Sequence, residues 1–213
     1  GFSFHPVKSI AAGEGGMITT NNENLYRKLL RFRSHGINKL DDKFIHRNDA
    51  NTNGINNPWY YEMQELGYNY RITDIQCALG ITQLKKINKF VKKRKSISKK
   101  YDLAFKNVSN CKILQENLKK WSSHHLYVLK IDFNKINISK SEFMNKLKKK
   151  GIITQVHYIP VYLHPFYKSK KGSQKKLKNT EEYYEQALSI PIYYDLKKKE
   201  QEYVIDNIKK IIE

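Results

Sequence analysis

The feature that most limits what this chain can fold into is a single helical stretch in its middle, from Thr73 to about Lys106. Thr73 and Gln76 have capping-box spacing, and Ile75, Leu79, Ile87 and Val91 fall on one stripe at helical period. A helix of that length, bent or straight, outruns a single small core and is the kind that joins two domains. The expected division is therefore residues 1–105, which include the helix, and residues 106–213. A chain of 213 residues is long enough for a substantial core without disulfides or a structural metal.

On both sides of that helix, strand and helix patterns alternate. Met17 to Thr20 reads as a short strand after the Gly13–Gly16 hinge. Asn21 to Arg33 reads as a helix, with Leu25, Leu29 and Phe32 at helical spacing and Gly36 as its stop. A polar, Asn-rich stretch from about Asn38 to Pro58 follows, and loops of that length in compact domains usually bind something. Beyond the long helix the order is strand (His124–Asp132), helix (Ser141–Lys149), strand (Ile152–Ile159), helix (Glu181–Leu188), short strand (Ser189–Tyr193) and a closing helix (Lys197–Ile212). Ser139 with Glu142 supplies a second capping box, and Gly151 the matching stop. The fold class is α/β, closing on a modest α+β domain.

Charge and cysteine usage restrict the function classes. Lysine and arginine number 40 against 20 acidic residues, a formal charge of +20. A nucleic-acid partner is the usual first thought, yet arginine, whose planar fork reads phosphates and base edges, supplies only Arg27, Arg31, Arg33, Arg47, Arg71 and Arg94. The lysines form short runs such as Lys92-Lys93, Lys148–Lys150, Lys170-Lys171 and Lys197–Lys199, placed where helix faces and ends meet water. The reading is a solvated basic surface, with no nucleic acid as partner. Cys77 and Cys111 are isolated thiols, which favours a reducing compartment. No apolar run approaches the roughly 20 residues that span a bilayer. The expectation is a soluble, cytoplasmic protein without a membrane partner.

The segment GFSFHPVKSIAAGEGGMITTN places Lys8 between a His-Pro turn and a run of glycines, with apolar flanks Phe2, Phe4, Val7 and Ile10. A lysine in a partly desolvated pocket loses its proton more easily, the condition for attacking an aldehyde to form a Schiff base. Ser3, five residues earlier, offers a hydroxyl for a phosphate, and the glycines allow close backbone approach. By spacing alone, Lys8 also reads as an ordinary lysine in a turn.

FSFHPVKSIAAGEGG resembles the lysine motif of the sugar-nucleotide aminotransferases, a fold-type-I family dependent on pyridoxal 5′-phosphate. RSHGI (33–37), PWYYEMQELGYNYRITDIQCALGITQL (58–84), SSHHLYVLKID (122–132), GIITQVHYIPVYLHPFY (151–167) and EEYYEQALSIPIYYDL (181–196) resemble further segments in order. They point to the branch that acts in pseudaminic acid biosynthesis. The resemblance covers essentially the whole chain. It implies the aspartate aminotransferase-like fold, with the C-terminal part of the large cofactor-binding domain and the interdomain helix in 1–105 and the small domain in 106–213.

The resemblance also implies roles. Lys8 matches the lysine that holds the cofactor and moves a proton during transamination; Ser3 matches a phosphate-binding serine. Asn69, in GYNYR, matches an asparagine that reaches the cofactor phosphate of the neighbouring subunit, which implies a homodimer with shared sites; on its own it reads as a turn residue before the Thr73 cap. His157 and Tyr158, on a strand entering a Pro-containing loop, are placed to meet a diphosphate or sugar, or to pack locally. Arg33 and His35 either meet the anionic substrate or form the basic last turn of a helix. No acid-base role is assigned to His5, and Glu14 reads as structural. His124, His125, His157 and His164 lack metal-ligand spacing, so no metal is expected.

The implied reaction is transfer of an amino group from L-glutamate to a UDP-linked 4-keto-6-deoxy-N-acetylhexosamine. The alternatives are a perosamine- or aminoarabinose-type transaminase, or a non-catalytic form of the fold. The chain starts almost at the lysine motif, whereas the family carries an extensive portion before it, including the aspartate that pairs with the pyridine nitrogen. The expectation is accordingly a fragment, inactive by itself.

Overall fold

The computed structural model describes residues 1–39, 44–114, 121–169 and 176–213. The Lys170-Lys171 pair and residues 40–43 of the Asn-rich stretch lie outside the described residues. The chain divides into two compact units, Gly1–Lys85 and Lys86–Glu213. The division falls at a break in the long helical stretch. That stretch is two helices, α2 (Asp74–Leu84) and α3 (Ile87–Phe105), separated at Lys85-Lys86. The Thr73 capping box is present: Thr73 Oγ1 accepts from the Gln76 N–H at 3.3 Å and Gln76 Oε1 accepts from the Thr73 N–H at 3.1 Å.

In the first unit, strands β1 (Phe2–Ser3) and β2 (Gly16–Met17) form an antiparallel pair, shorter than the Met17–Thr20 strand read from the sequence. Helix α1 (Glu23–Arg33) starts at Asn22, whose side chain accepts from the Leu25 N–H at 2.9 Å, and Arg31 and Arg33 occupy its basic last turn. Strand β3 (Ile37–Asn38) pairs with β6 (Glu62–Met63). Between them, within the Asn-rich stretch, β4 (Asn51–Thr52) and β5 (Ile55–Asn56) make a hairpin around Asn53 and Gly54. Both turn residues have positive φ, 53° and 83°, as a tight primed hairpin turn requires.

Among its described residues this unit buries only Ala12 and Ala50 as apolar side chains. Of the lysine's apolar flanks, Phe4 and Ile10 are half-buried and Phe2 and Val7 exposed, and Met17, Ile18, Trp59, Tyr61, Tyr70, Ile75 and Leu79 are exposed as well. The stripe that marked α2 as a helix has no cover within the unit.

The second unit holds the core. Strands β7 (Cys111–Ile113), β8 (Tyr127–Ile131) and β9 (Ala187–Ile190) form an antiparallel sheet in the order β7-β8-β9. Tyr127, Leu129 and Ile131 alternate inward from β8, and every residue of β9 is buried. Packed with them are Ile97, Tyr101 and Phe105 of α3, Phe143 and Leu147 of α4 (Lys140–Lys149), and Val204, Ile205, Ile208 and Ile212 of α7 (Lys198–Ile212). Each such side chain contributes roughly 1.5–3 kcal/mol when fully buried. By this packing α3 belongs to the compact unit Lys86–Glu213. Arg94 of α3 is buried, and its Nη1 donates to the carbonyls of His124, His125 and Ile192 at 3.3, 3.1 and 2.9 Å. Burial lowers its pKa, and three carbonyl dipoles take the place of a carboxylate.

Residues 152–159 do not form the strand expected of them. Gln155 alone exchanges backbone hydrogen bonds with Ser189, and the chain then turns through a 3₁₀ segment (Val161–Leu163) into the short α5 (Pro165–Lys168). The helix read as 181–188 is α6 (Lys178–Gln186), and the strand read as 189–193 begins earlier, at Ala187. Burial pushes the Cys111 thiol up to about 12, as befits an inert packing group.

The contrast between the units is measurable by amide exchange. Amides of β1, β2 and α2 are expected to exchange at least about tenfold faster than those of β8 and β9, because opening them exposes little buried apolar surface. Equal protection in both units would contradict this.

Candidate functional site

The Lys8 segment is a closed loop. The Phe4 N–H donates to the Gly15 carbonyl and the Ala12 N–H to the Phe4 carbonyl, both at 2.9 Å, so residues 5–11 leave and rejoin the strand at one point. Ala12 is buried and lies beside Gly80 of α2, and Gln76 Nε2 donates to the Glu14 carbonyl at 3.0 Å. Gly15 has φ +130°, and a Cβ there would lie 2.9 Å from Ile72 Cδ1; only glycine lets this turn pass so close to the residues preceding α2.

Within the loop Lys8 is half-buried, and its backbone N–H donates to His5 O at 2.9 Å. Its ammonium makes no hydrogen bond or ion pair with the described residues. Ser3 Oγ accepts only a long 3.4 Å contact from the His5 N–H. His5 Nδ1 accepts from the Val7 N–H at 3.4 Å, and its Nε2 lies 3.8 Å from Glu14 Oε1. An unengaged amine, an under-used hydroxyl and a glycine turn are what an aldehyde-bearing, phosphorylated ligand requires, so the residues fit pyridoxal phosphate.

A second set of expected site residues meets elsewhere in the first unit. Ser34 and Asn69 form an isolated antiparallel bridge, the Tyr70 N–H donates to Arg33 O at 2.9 Å, and the His35 N–H donates to Tyr68 O at 2.9 Å. The crossing beneath them is tight: a Cβ on Gly36 would lie 1.7 Å from Glu65 O, and one on Gly67 would lie 2.1 Å from Gly36 N. Arg33, His35 and Asn69 are thus neighbours along two paired segments, all exposed. Arg31, two residues before Arg33, pairs through Nε with Glu65 Oε2 at 3.4 Å. No hydrogen bond among the described residues links this set to Lys8 or Ser3.

His157 and Tyr158 belong to the second unit. His157 Nδ1 lies 2.8 Å from Ser189 Oγ, which orients the ring, and Tyr158 is exposed beside it. Tyr158 lines an open cleft of about 350 Å³ with Val156, Ile159, His164 and Tyr184.

One residue the sequence reading passed over stands out. Glu62 of β6 is buried, and its two oxygens accept four hydrogen bonds. Burial opposes its ionised form, but hydrogen bonds from Gln64, Ile45, His46 and Tyr60 outweigh that and bring its pKa down to about 2. An acidic residue inside the aromatic run PWYYEM was the available signal.

Residues 1–209 match the DegT/DnrJ/EryC1/StrS aminotransferase family. The chain belongs to this family. Along its whole length it is 40% identical to the UDP-4-amino-4,6-dideoxy-N-acetyl-beta-L-altrosamine transaminase of Campylobacter jejuni, of which the match covers 52%. Among solved structures, the Helicobacter pylori PseC, an aminotransferase involved in the biosynthesis of pseudoaminic acid, superposes with a TM-score of 0.85 at 32% identity over 99% of this chain and 52% of that one. A Streptococcus pneumoniae family structure, solved in a PLP form, gives a TM-score of 0.75 at 26% identity over 99% of this chain and 50% of its own. The chain spans about half the length of the curated relatives it matches. The fold is the α/β fold of these aminotransferases, and pyridoxal 5′-phosphate is the cofactor of the family. Among the described residues, no helix is long and apolar enough to cross a membrane, and no group of three or more His, Cys, Asp or Glu side chains is placed to hold a metal ion.

Proposed function

We propose that the protein is a pyridoxal-phosphate-dependent aminotransferase that moves an amino group from L-glutamate to C4 of a UDP-linked 4-keto-6-deoxy-N-acetylhexosamine. The observation that carries the reading is the Lys8 loop, a half-buried amine without a partner, held by Phe4–Ala12 closure on α2 five residues after an under-used serine hydroxyl. The similarity to altrosamine transaminases supports this choice of sugar.

The cofactor, when bound, supplies an electron sink and a carrier for the amino group. Lys8 would hold it covalently through Nζ and, once released, move a proton to and from the reacting carbon. Ser3 would donate its hydroxyl to the phosphate. Asn69 would serve the phosphate bound by the partner of a homodimer, in keeping with a side chain that finds no partner among the described residues. Arg33 and His35 would meet the anionic end of the acceptor, and His157 and Tyr158 would line the approach of its nucleotide. The same reading divides the functional fold into a cofactor-binding part, 1–105, and a small domain, 106–213.

The direct test is chemical. The full-length protein mixed with pyridoxal phosphate should absorb in the visible, and borohydride should fix the cofactor on the Lys8 peptide, as read by mass spectrometry. Label on another lysine with Lys8 unmodified would overturn the assignment.

A further inference from the structure

Glu62 gathers donors from three separate places in the chain. Its Oε2 accepts from the Ile45 N–H at 2.8 Å and from Gln64 Nε2 at 2.7 Å, while Oε1 accepts from the His46 N–H at 2.8 Å and from the Tyr60 hydroxyl at 3.0 Å. All four partners donate, and none of them is a cation. Such a set calls for a group that only accepts, which among side chains means an ionised carboxylate. Glutamine in its place would turn an NH₂ toward two of the donors.

The carboxylate joins two parts that the backbone leaves apart. One is the β3–β6 pair, where Glu62 stands opposite Asn38 and the Gln64 N–H donates to Gly36 O at 3.0 Å, and whose two segments run on into the Ser34–Asn69 bridge that carries Arg33, His35 and Asn69. The other is the 44–57 segment with its β4–β5 hairpin, which is closed on itself: the Asn57 N–H donates to Ala50 O at 2.8 Å and Asn57 Nδ2 to Asp49 O at 2.9 Å. Ile45 and His46 are the residues through which that hairpin is fastened to the strand pair.

We propose that Glu62 is a positioning residue for binding of the nucleotide-sugar acceptor, its carboxylate fixing the 44–57 hairpin in one placement beside Arg33, His35 and Asn69. This rests on the functional reading above, which puts those three residues at the acceptor. Cofactor capture is separate, because Lys8 and Ser3 belong to the β1–β2 loop anchored on α2.

The test compares Glu62→Gln, and Tyr60→Phe as a milder variant that keeps the carboxylate, with the unaltered holoenzyme. In Glu62→Gln the amides of Ile45 and His46 should exchange about tenfold or more faster, since each loses a bond to a charged acceptor. The KM for the acceptor sugar should rise about tenfold, with kcat and the visible absorbance of bound cofactor within about twofold of the unaltered protein. Tyr60→Phe should shift both quantities the same way by a smaller factor, and it carries the test if Glu62→Gln does not fold. Unchanged exchange at Ile45 and His46 would overturn the carboxylate lock. Faster exchange with an unchanged KM would overturn the positioning role and leave Glu62 structural. Absence of transamination in the unaltered full-length holoenzyme would overturn the functional reading and the positioning role together, while exchange at the two amides would still decide on the lock.

Discussion

Lys8→Ala is expected to lower turnover by at least about 10²–10⁴-fold, the range set by loss of a positioned proton donor and acceptor alone. The substitution also removes the covalent hold on the cofactor, so the true loss lies at or beyond the upper end. Fold disruption does not explain such a loss, because the loop is closed by the backbone of Phe4, Ala12 and Gly15 rather than by the lysine side chain. Steady-state rates with glutamate and the keto sugar give the measurement, and residual turnover within tenfold of the unaltered protein would exclude Lys8 from the chemistry. The same variant tests the shared site. If Asn69 serves the partner's cofactor, mixing Lys8→Ala subunits with inactive Asn69→Ala subunits places one intact site in each hybrid. Random re-association at equal concentrations then restores about a quarter of full activity. No recovery in verified hybrids would place both residues in the same subunit.

The second large effect concerns stability. Leu129 is fully buried at the centre of β8, between β7 and β9. Leu129→Ala is expected to destabilise the second unit by about 2–5 kcal/mol, the sum of lost transfer energy and the cavity left in a sheet that cannot collapse. Leu103→Ala, on an exposed face of α3, should stay within about 0.5 kcal/mol. Denaturant midpoints followed on a probe in the second unit distinguish them. Equal effects would mean that the cluster around Tyr101, Phe105 and Leu129 is not the unit's core.

What the sequence revealed was what local physics decides. Asn21 to Arg33 and Ser141 to Lys149 carried their apolar period and caps within themselves, and the Thr73–Gln76 box formed as its spacing required. The break at Lys85-Lys86 stayed hidden because neither glycine nor proline marks it and the apolar stripe runs through it. Residues 152–159 read like a strand, yet among the described residues Gln155 alone forms a β-bridge, so the pairing was not predictable from the pattern. At the site, Lys8 and Ser3 lie on one short segment and were legible together. The bonds to Glu62 from the Ile45 and His46 amides exist only once the chain has returned to β6, and no residue type announces a backbone donor.

The glycine crossing has a consequence for how this unit tolerates change. Because Gly36 and Gly67 meet backbone to backbone, the chain between them departs from and comes back to a single fixed point. Its length is then almost free: doubling a loop costs only about 0.6 kcal/mol of closure entropy. Insertions at the hairpin tip around Asn53 and Gly54 are therefore expected to leave the crossing, and with it Arg33 and Asn69, where it is.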